Sequence, residues 1–144
     1  MFYGEYEHAI DRKGRVIVPA KFRDVFKEQQ VERLFLTRGL DSCLFLFTEE
    51  EWRLQESKLK SLSFTKAEAR RFNRLYFSGA AEVELDRQGR LLLPKPLKDF
   101  AEIKRDLVIV GVANRIELWA KEKWEAFLQS ARPTFEEIAE RLME

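Results

Sequence analysis

The spacing of apolar residues changes period repeatedly along this chain, and the changes mark out short elements. The opening segment has His8 between the apolar alternate positions Tyr6 and Ile10, which predicts a strand ending at Ile10. The β-branched run Val16-Ile17-Val18 predicts a partner strand across the turn Asp11-Arg12-Lys13-Gly14-Arg15. Gly14 stands where such a turn needs a positive φ, and Asp11 is placed to accept hydrogen bonds from the turn's own amides. Pro19 ends the strand and suits the first turn of a helix, whose apolar positions Phe22, Val25 and Phe26 follow i, i+3, i+4 spacing. The runs Leu34–Thr37 and Cys43–Phe47, around Gly39-Leu40-Asp41-Ser42, predict a second hairpin.

Helices are announced by three Thr-x-x-Glu boxes, Thr48 with Glu51, Thr65 with Glu68 and Thr134 with Glu137. In such a box hydroxyl and carboxylate satisfy amides that the first helical turn leaves unpaired. Residues 49–76 contain no Gly or Pro and set Ala69, Phe72, Leu75 and Tyr76 on one face, so a helical connection rather than a flexible linker is expected.

Residues 2–26 recur at 77–101 with a constant offset. Phe2, Gly4, Glu7, Asp11, Arg12, Gly14, Arg15 and Pro19 return as Phe77, Gly79, Glu82, Asp86, Arg87, Gly89, Arg90 and Pro94. The apolar run returns as Leu91-Leu92-Leu93, and Leu97, Phe100 and Ala101 repeat the helix face. Further on, Leu44–Phe47 before Trp52 answers to Ile116–Trp119 before Trp124, with Leu107–Val110 and a hairpin around Ala113-Asn114 between. The expected organisation is two rigidly attached modules of one kind, residues 1–76 and 77–144, each a β-rich unit followed by helices. Asp86 and Gly89 repeat the turn chemistry of Asp11 and Gly14.

With 144 residues, 45% of them hydrophobic, the chain can bury a real core. Its 26 basic and 25 acidic residues nearly cancel, so any polyanion site must arise from local distribution. The single cysteine, Cys43, lies in an apolar run and reads as a small core residue, which excludes an internal disulfide or a thiolate metal site. His8 reads as a partly buried strand residue, and no metal or cofactor is expected. There is no phosphate-binding Gly-x-x-x-x-Gly-Lys loop and no nucleophile elbow, so neither catalysis nor a small-molecule substrate is expected. No run of 18 apolar residues and no signal-like N-terminus is present, so a cytoplasmic protein without a membrane partner is expected.

The basic residues gather around the first turn. Arg12, Lys13, Arg15, Lys21, Arg23 and Lys27 stand against Asp11 and Asp24, a local +4, whereas Arg87, Arg90, Lys95 and Lys98 stand against Asp86, Asp99 and Glu102, a local +1. That distribution points to double-stranded DNA as the partner, with the first turn as the stronger of two unequal contacts. A two-stranded ribbon fits the major groove, where Arg12 and Arg15 suit guanine edges and Lys13 and Lys21 suit phosphates. Arg23, Arg87 and Arg90 complete the candidate set. Arg15 has an alternative role, bonding back to Asp11 or Glu7 to hold the turn, and Asp11 itself reads as structural. Lys66, Arg70, Arg71 and Arg74 read as a solvated helix face. Phe35, Phe45, Phe47, Trp52, Trp119 and Trp124 read as core or subunit interface.

The residues Met1-Phe2-x-Gly4, Asp11-Arg-Lys-Gly-Arg15-Val-Ile-Val-Pro19 and Asp86-Arg-Gln-Gly-Arg90-Leu-Leu-Leu-Pro94 resemble the MraZ family over nearly the whole chain. The resemblance implies an α+β fold, mainly β, of two tandem AbrB/SpoVT-like modules whose interleaved β-hairpins form a double-split β-barrel-like pseudo-dimer. It also implies a cytoplasmic, nucleoid-associated transcriptional regulator, a homo-oligomer closed into a ring. Such a regulator binds direct repeats in the promoter of its own division and cell-wall gene cluster, usually as a repressor. The alternative is an AbrB-like, antitoxin-type protein-interaction module. Against it stands the tail Thr134–Met143, which reads as a short capped acidic helix suited to packing within the ring rather than as a disordered partner-binding segment.

Overall fold

Runs as short as Val16–Val18 form little sheet unaided, and in the computed structural model, which describes residues 1–143, each finds its partner in the other half of the chain. The first half comprises β1 (Phe2–Ala9), β2 (Arg15–Ile17), α1 (Ala20–Glu28), β3 (Leu34–Arg38), β4 (Leu44–Thr48), α2 (Glu49–Lys60) and α3 (Ala67–Ser78). The second comprises β5 (Ala81–Val83), β6 (Arg90–Leu92), α4 (Lys95–Phe100), β7 (Asp106–Ala113), β8 (Arg115–Ala120), α5 (Lys121–Ala131), a 3₁₀ turn (Arg132–Thr134) and α6 (Phe135–Leu142). The fold is mixed α+β, as expected.

The hairpin expected between β1 and β2 does not form. β1 pairs antiparallel with β7, from Phe2 opposite Ala113 to Ala9 opposite Asp106, and β2 pairs with β6, with Val16 opposite Leu91. The turn at Asp11 therefore redirects the chain from one sheet to another. The hairpins β3–β4 and β7–β8 form as expected, and β3 also pairs with β5. The result is an open six-stranded sheet in the order β1-β7-β8-β4-β3-β5 with a separate β2–β6 ribbon; these sheets do not join into a closed barrel.

The six-stranded sheet is covered on both faces, which is why β4 reads Leu44-Phe-Leu-Phe-Thr48 without alternation and is buried throughout. One face packs Leu36, Leu46, Ile109 and Leu118 against Phe22 and Phe26 of α1, Leu97 of α4 and the inner ribbon residues Val16 and Leu91. The other face packs Phe45, Phe47, Val110 and Trp119 against Trp52 of α2, Tyr76 of α3 and Trp124 of α5. Cys43 lies wholly buried there, and burial pushes its thiol up to about 12, as befits a core residue.

Several local expectations change. Thr48 caps α2, its hydroxyl accepting from the Glu51 amide at 3.3 Å, but Thr65 and Thr134 cap nothing: Lys66 precedes α3, and the Thr134 hydroxyl donates to the Ala131 carbonyl. Leu75 points outward, and the inward face of α3 runs through Phe72 and Tyr76 to Phe77. Phe100 lies partly exposed beneath the Arg38 guanidinium, and Ile103 takes the buried place beside Leu97 and Ala101. Among the described residues no helix is long and apolar enough to cross a membrane.

Both turn glycines are left-handed, φ +81° at Gly14 and +77° at Gly89, but their surroundings differ. A Cβ at Gly14 would come no closer than 3.7 Å to Leu92, whereas one at Gly89 would meet the Arg23 side chain at 2.7 Å. Gly14→Ala should therefore cost about 1–2 kcal/mol for the left-handed backbone alone. Gly89→Ala should cost more, because Arg23 must also leave its place. Urea unfolding of both variants checks this; equal losses would mean that Arg23 yields freely.

Candidate nucleic-acid interface

Asp11 builds the first turn. Its Oδ1 accepts from the Lys13 and Arg15 amides, both at 2.9 Å, and its Oδ2 accepts from Arg15 Nε at 2.9 Å. The Asp11 amide donates to the Arg15 carbonyl, and the Gly14 amide returns to the Asp11 carbonyl. Asp86 repeats the pattern, accepting from the Gln88 and Arg90 amides at 2.9 Å and from Arg90 Nε at 2.8 Å. The Arg15 amide, ahead of all other causes, holds the Asp11 carboxyl below the usual aspartate range, and the Arg90 amide does the same for Asp86.

The two turns sit at opposite ends of the ribbon. The Val18 amide donates to the Gly89 carbonyl at 3.0 Å, and the Leu93 amide donates to the Gly14 carbonyl at 2.9 Å. This reciprocity gives the ribbon an approximate two-fold centred on the pair Val16–Leu91.

The candidate cations divide into three groups. Arg15 and Arg90 are half-buried and commit Nε to their aspartates, so the turn-holding role weighed for Arg15 is realised and Arg90 repeats it. Arg90 Nη2 also donates to Gln88 Oε1 at 2.8 Å, whereas the Nη atoms of Arg15 lie beyond the aspartate contact. Arg23 is a bracket between halves: its Nε donates to the Val18 carbonyl at 3.0 Å while its side chain covers Gly89. Arg12, Lys13, Lys21 and Arg87 are exposed, and among the described residues none has a side-chain ion pair. Lys21 stands apart, bordering a groove beside Tyr3 and Tyr6 of β1.

Folding also redistributes the charge that the sequence assigns to each module. Arg23 and Lys27 of α1 line a groove together with Arg87 and Asp86 of the second turn. The Ile10 amide donates to the Arg105 carbonyl at 2.8 Å, which brings the exposed Lys104–Arg105 pair beside the first turn. Each turn thus borrows cations from the other half, and the local +4 and +1 of the sequence do not describe two separate surfaces. Lys104 and Arg105 carry no local signal; only the β1–β7 pairing brings them there.

Both halves of the chain match the family described as "MraZ protein, putative antitoxin-like", over residues 1–75 and 76–144. The chain belongs to the MraZ family. MraZ relatives named "Transcriptional regulator MraZ" include one from Syntrophomonas wolfei subsp. wolfei, 50% identical over 144 residues, covering 100% of this chain and 98% of that protein. One from Natranaerobius thermophilus is 49% identical with the same coverage, and one from Thermoanaerobacter sp. is 50% identical over 142 residues, covering 99% and 96%. The solution structure of PHS018 from Pyrococcus horikoshii aligns over 82% of this chain and 88% of that one, at 17% identity and a TM-score of 0.34, too distant to bear on the site.

In this MraZ chain Asp11 and Asp86 contribute stability that is fully present above the ordinary unfolded aspartate pKa of about 4 and is lost as pH falls through their lowered folded values. Carboxyl NMR titration should place both midpoints below that of an unfolded aspartate. Asp11→Asn supplies a sharper check by removing an anion from a basic surface. If charge alone mattered, polyanion binding would strengthen; because the carboxylate shapes the turn and orients Arg15, binding measured by fluorescence anisotropy should weaken.

Proposed function

We propose that this chain is a sequence-specific DNA-binding transcriptional regulator of its own division and cell-wall gene cluster, acting as a repressor. The observation that carries this reading is the exposed β2–β6 ribbon with unpaired cations at both ends, Arg12 and Lys13 at one and Arg87 at the other. A ribbon of this width enters a major groove, the turns meet the flanking backbone, and the Nη atoms of Arg15, with the Nη1 of Arg90 that its bond to Gln88 leaves over, face base edges from positions that their aspartates hold still. Prealigned arginines lose less rotamer freedom on binding. The names of the 50%-identical relatives support the same class, and the reading involves no catalytic step, cofactor or small-molecule substrate. It places the protein in the cytoplasm, associated with the nucleoid.

The proposal extends to a closed ring of copies on repeated promoter boxes, with residues 1–76 and 77–144 as the paired modules of each copy. Support for assembly comes from α6, which leaves Phe135, Ile138 and Leu142 exposed on one side, and from Leu54, Leu62, Phe64 and Leu75 on the α2–α3 hairpin. Apolar residues left open at two separate places suit head-to-tail contacts, which close into rings. The same α6 face also favours a second reading, an antitoxin-type module that grips a protein partner.

An electrophoretic shift on DNA upstream of the protein's own gene tests the main reading. The complex should survive scrambled competitor and weaken as salt rises. Arg12→Ala and Arg87→Ala should each weaken it by about 1–3 kcal/mol if they meet bases, or lower the salt slope by about one if they meet phosphate, without loss of thermal stability. No shift at micromolar protein would favour the protein-partner reading. Phe135→Asp with Leu142→Asp should reduce the mass seen by light scattering to one copy and weaken DNA binding through lost multivalency; an unchanged mass would remove α6 from the assembly.

A further inference from the structure

The ribbon's outer face is not purely cationic. Strand alternation turns Val16 and Leu91 into the core, so Arg15 and Ile17 of β2 and Arg90 and Leu92 of β6 point outward. Ile17 is 45% exposed and Leu92 56% exposed. The register sets Arg15 opposite Leu92 and Arg90 opposite Ile17, a checkerboard of two guanidinium groups and two aliphatic side chains related by the ribbon's approximate two-fold. Charge alone would be served by polar residues at both aliphatic positions, and the core makes no use of them.

Resting on the DNA reading above, we propose that Ile17 and Leu92 read thymine, each packing against a thymine C5-methyl group in the major groove. In that groove the methyl is the one apolar group a base pair offers, and it distinguishes thymine from cytosine at the same edge position. The flanking arginines hold the ribbon against the polyanion, which lets two aliphatic side chains meet an otherwise polar surface. Ile17 and Leu92 occupy diagonal positions across an antiparallel pair, about 7–8 Å apart. At about 3.4 Å per base step, that spans roughly two steps, so the two thymines stand about two base pairs apart. Arg15 and Arg90 give the ribbon its attraction and orientation; the aliphatic pair gives it a preference the arginines cannot supply.

The test uses the full-length protein and the shortest duplex that it holds against scrambled competitor, synthesised once with thymine and once with deoxyuridine at every thymine position. Deoxyuridine keeps the hydrogen-bonding edge and removes only the methyl. Each buried methyl lost should weaken binding about fourfold, so anisotropy titrations should give the wild type a weakening of about fourfold to fifteenfold on the uracil duplex. The variant Ile17→Ala with Leu92→Ala should bind the thymine duplex about as weakly as the wild type binds the uracil one, and should not distinguish the two duplexes. Replacing thymines one at a time should locate two sensitive positions about two base pairs apart. Equal wild-type affinity for both duplexes, which needs no variant to fold, overturns the proposal while leaving the DNA reading intact, as does a double variant that discriminates as well as the wild type. A wild type that holds no duplex against competitor overturns both.

Discussion

Two backbone hydrogen bonds, from the Val18 amide to the Gly89 carbonyl and from the Leu93 amide to the Gly14 carbonyl, connect almost everything else in this molecule. Each half of the chain supplies a carbonyl that only the other half's strand can use. The carbonyls point correctly because Gly14 and Gly89 adopt left-handed φ, and the glycines adopt it within turns that Asp11 and Asp86 close. Turn, ribbon and the inward packing of Val16 against Leu91 are therefore one cooperative unit, and neither half completes it alone. Such coupling is how a three-residue strand, far below what stands alone in water, becomes a fixed feature.

The repeat is deeper in sequence than in structure. Phe2 and Gly4 lie in an eight-residue strand, with Gly4 at φ +92°, whereas their counterparts Phe77 and Gly79 form the end and cap of α3. The helix joining the halves claims the residues that would have lengthened β5, leaving a three-residue strand at the edge of the sheet. A short edge exposes few unpaired backbone groups, which limits unplanned pairing with other chains. The divergence also separates the roles of matching positions: Arg23 crosses to cover Gly89, while its counterpart Lys98 has no such bracket over Gly14.

Much of this was legible in the chain itself, because turn chemistry is local. The Asp-x-x-Gly-Arg spacing located both turns, the proline after each apolar run located α1 and α4, and the Gly39 and Asn114 regions located the hairpins β3–β4 and β7–β8. Partner choice was not legible: nothing in Val16-Ile17-Val18 says whether it returns to β1 or crosses to β6, since both give the same alternation. The Thr-x-x-Glu boxes at Thr65 and Thr134 misled because a cap requires the helix to begin directly after that residue and the hydroxyl to turn toward its first amides. α3 begins one residue late, after Lys66, and α6 begins directly after Thr134 but the hydroxyl turns back to the Ala131 carbonyl. The double role of Arg15 was visible as an alternative, and only the 2.9 Å contact with Asp11 decides that its Nε serves the turn.

The charge balance of the site follows from the same coupling. Of seven arginines and lysines expected to meet a polyanion, the fold commits three, Arg15, Arg23 and Arg90, to internal contacts. Among the described residues the unpaired cations that remain, Arg12 and Lys13 with Lys104 and Arg105 beside the first turn and Arg87 with Lys27 beside the second, are few at each end, and their contribution through counterion release falls as salt rises. On the proposed reading, affinity must come from joining several ribbons, each raising the effective concentration of the next. Selectivity must come from how rigidly each ribbon presents its outer face. The internal ion pairs serve the second need and weaken the first. An arginine anchored through Nε is partly neutralised by its aspartate and gains a fixed direction, and on the proposed reading, in a chain with a net charge of +1, that exchange favours selective contact over indiscriminate coating of DNA.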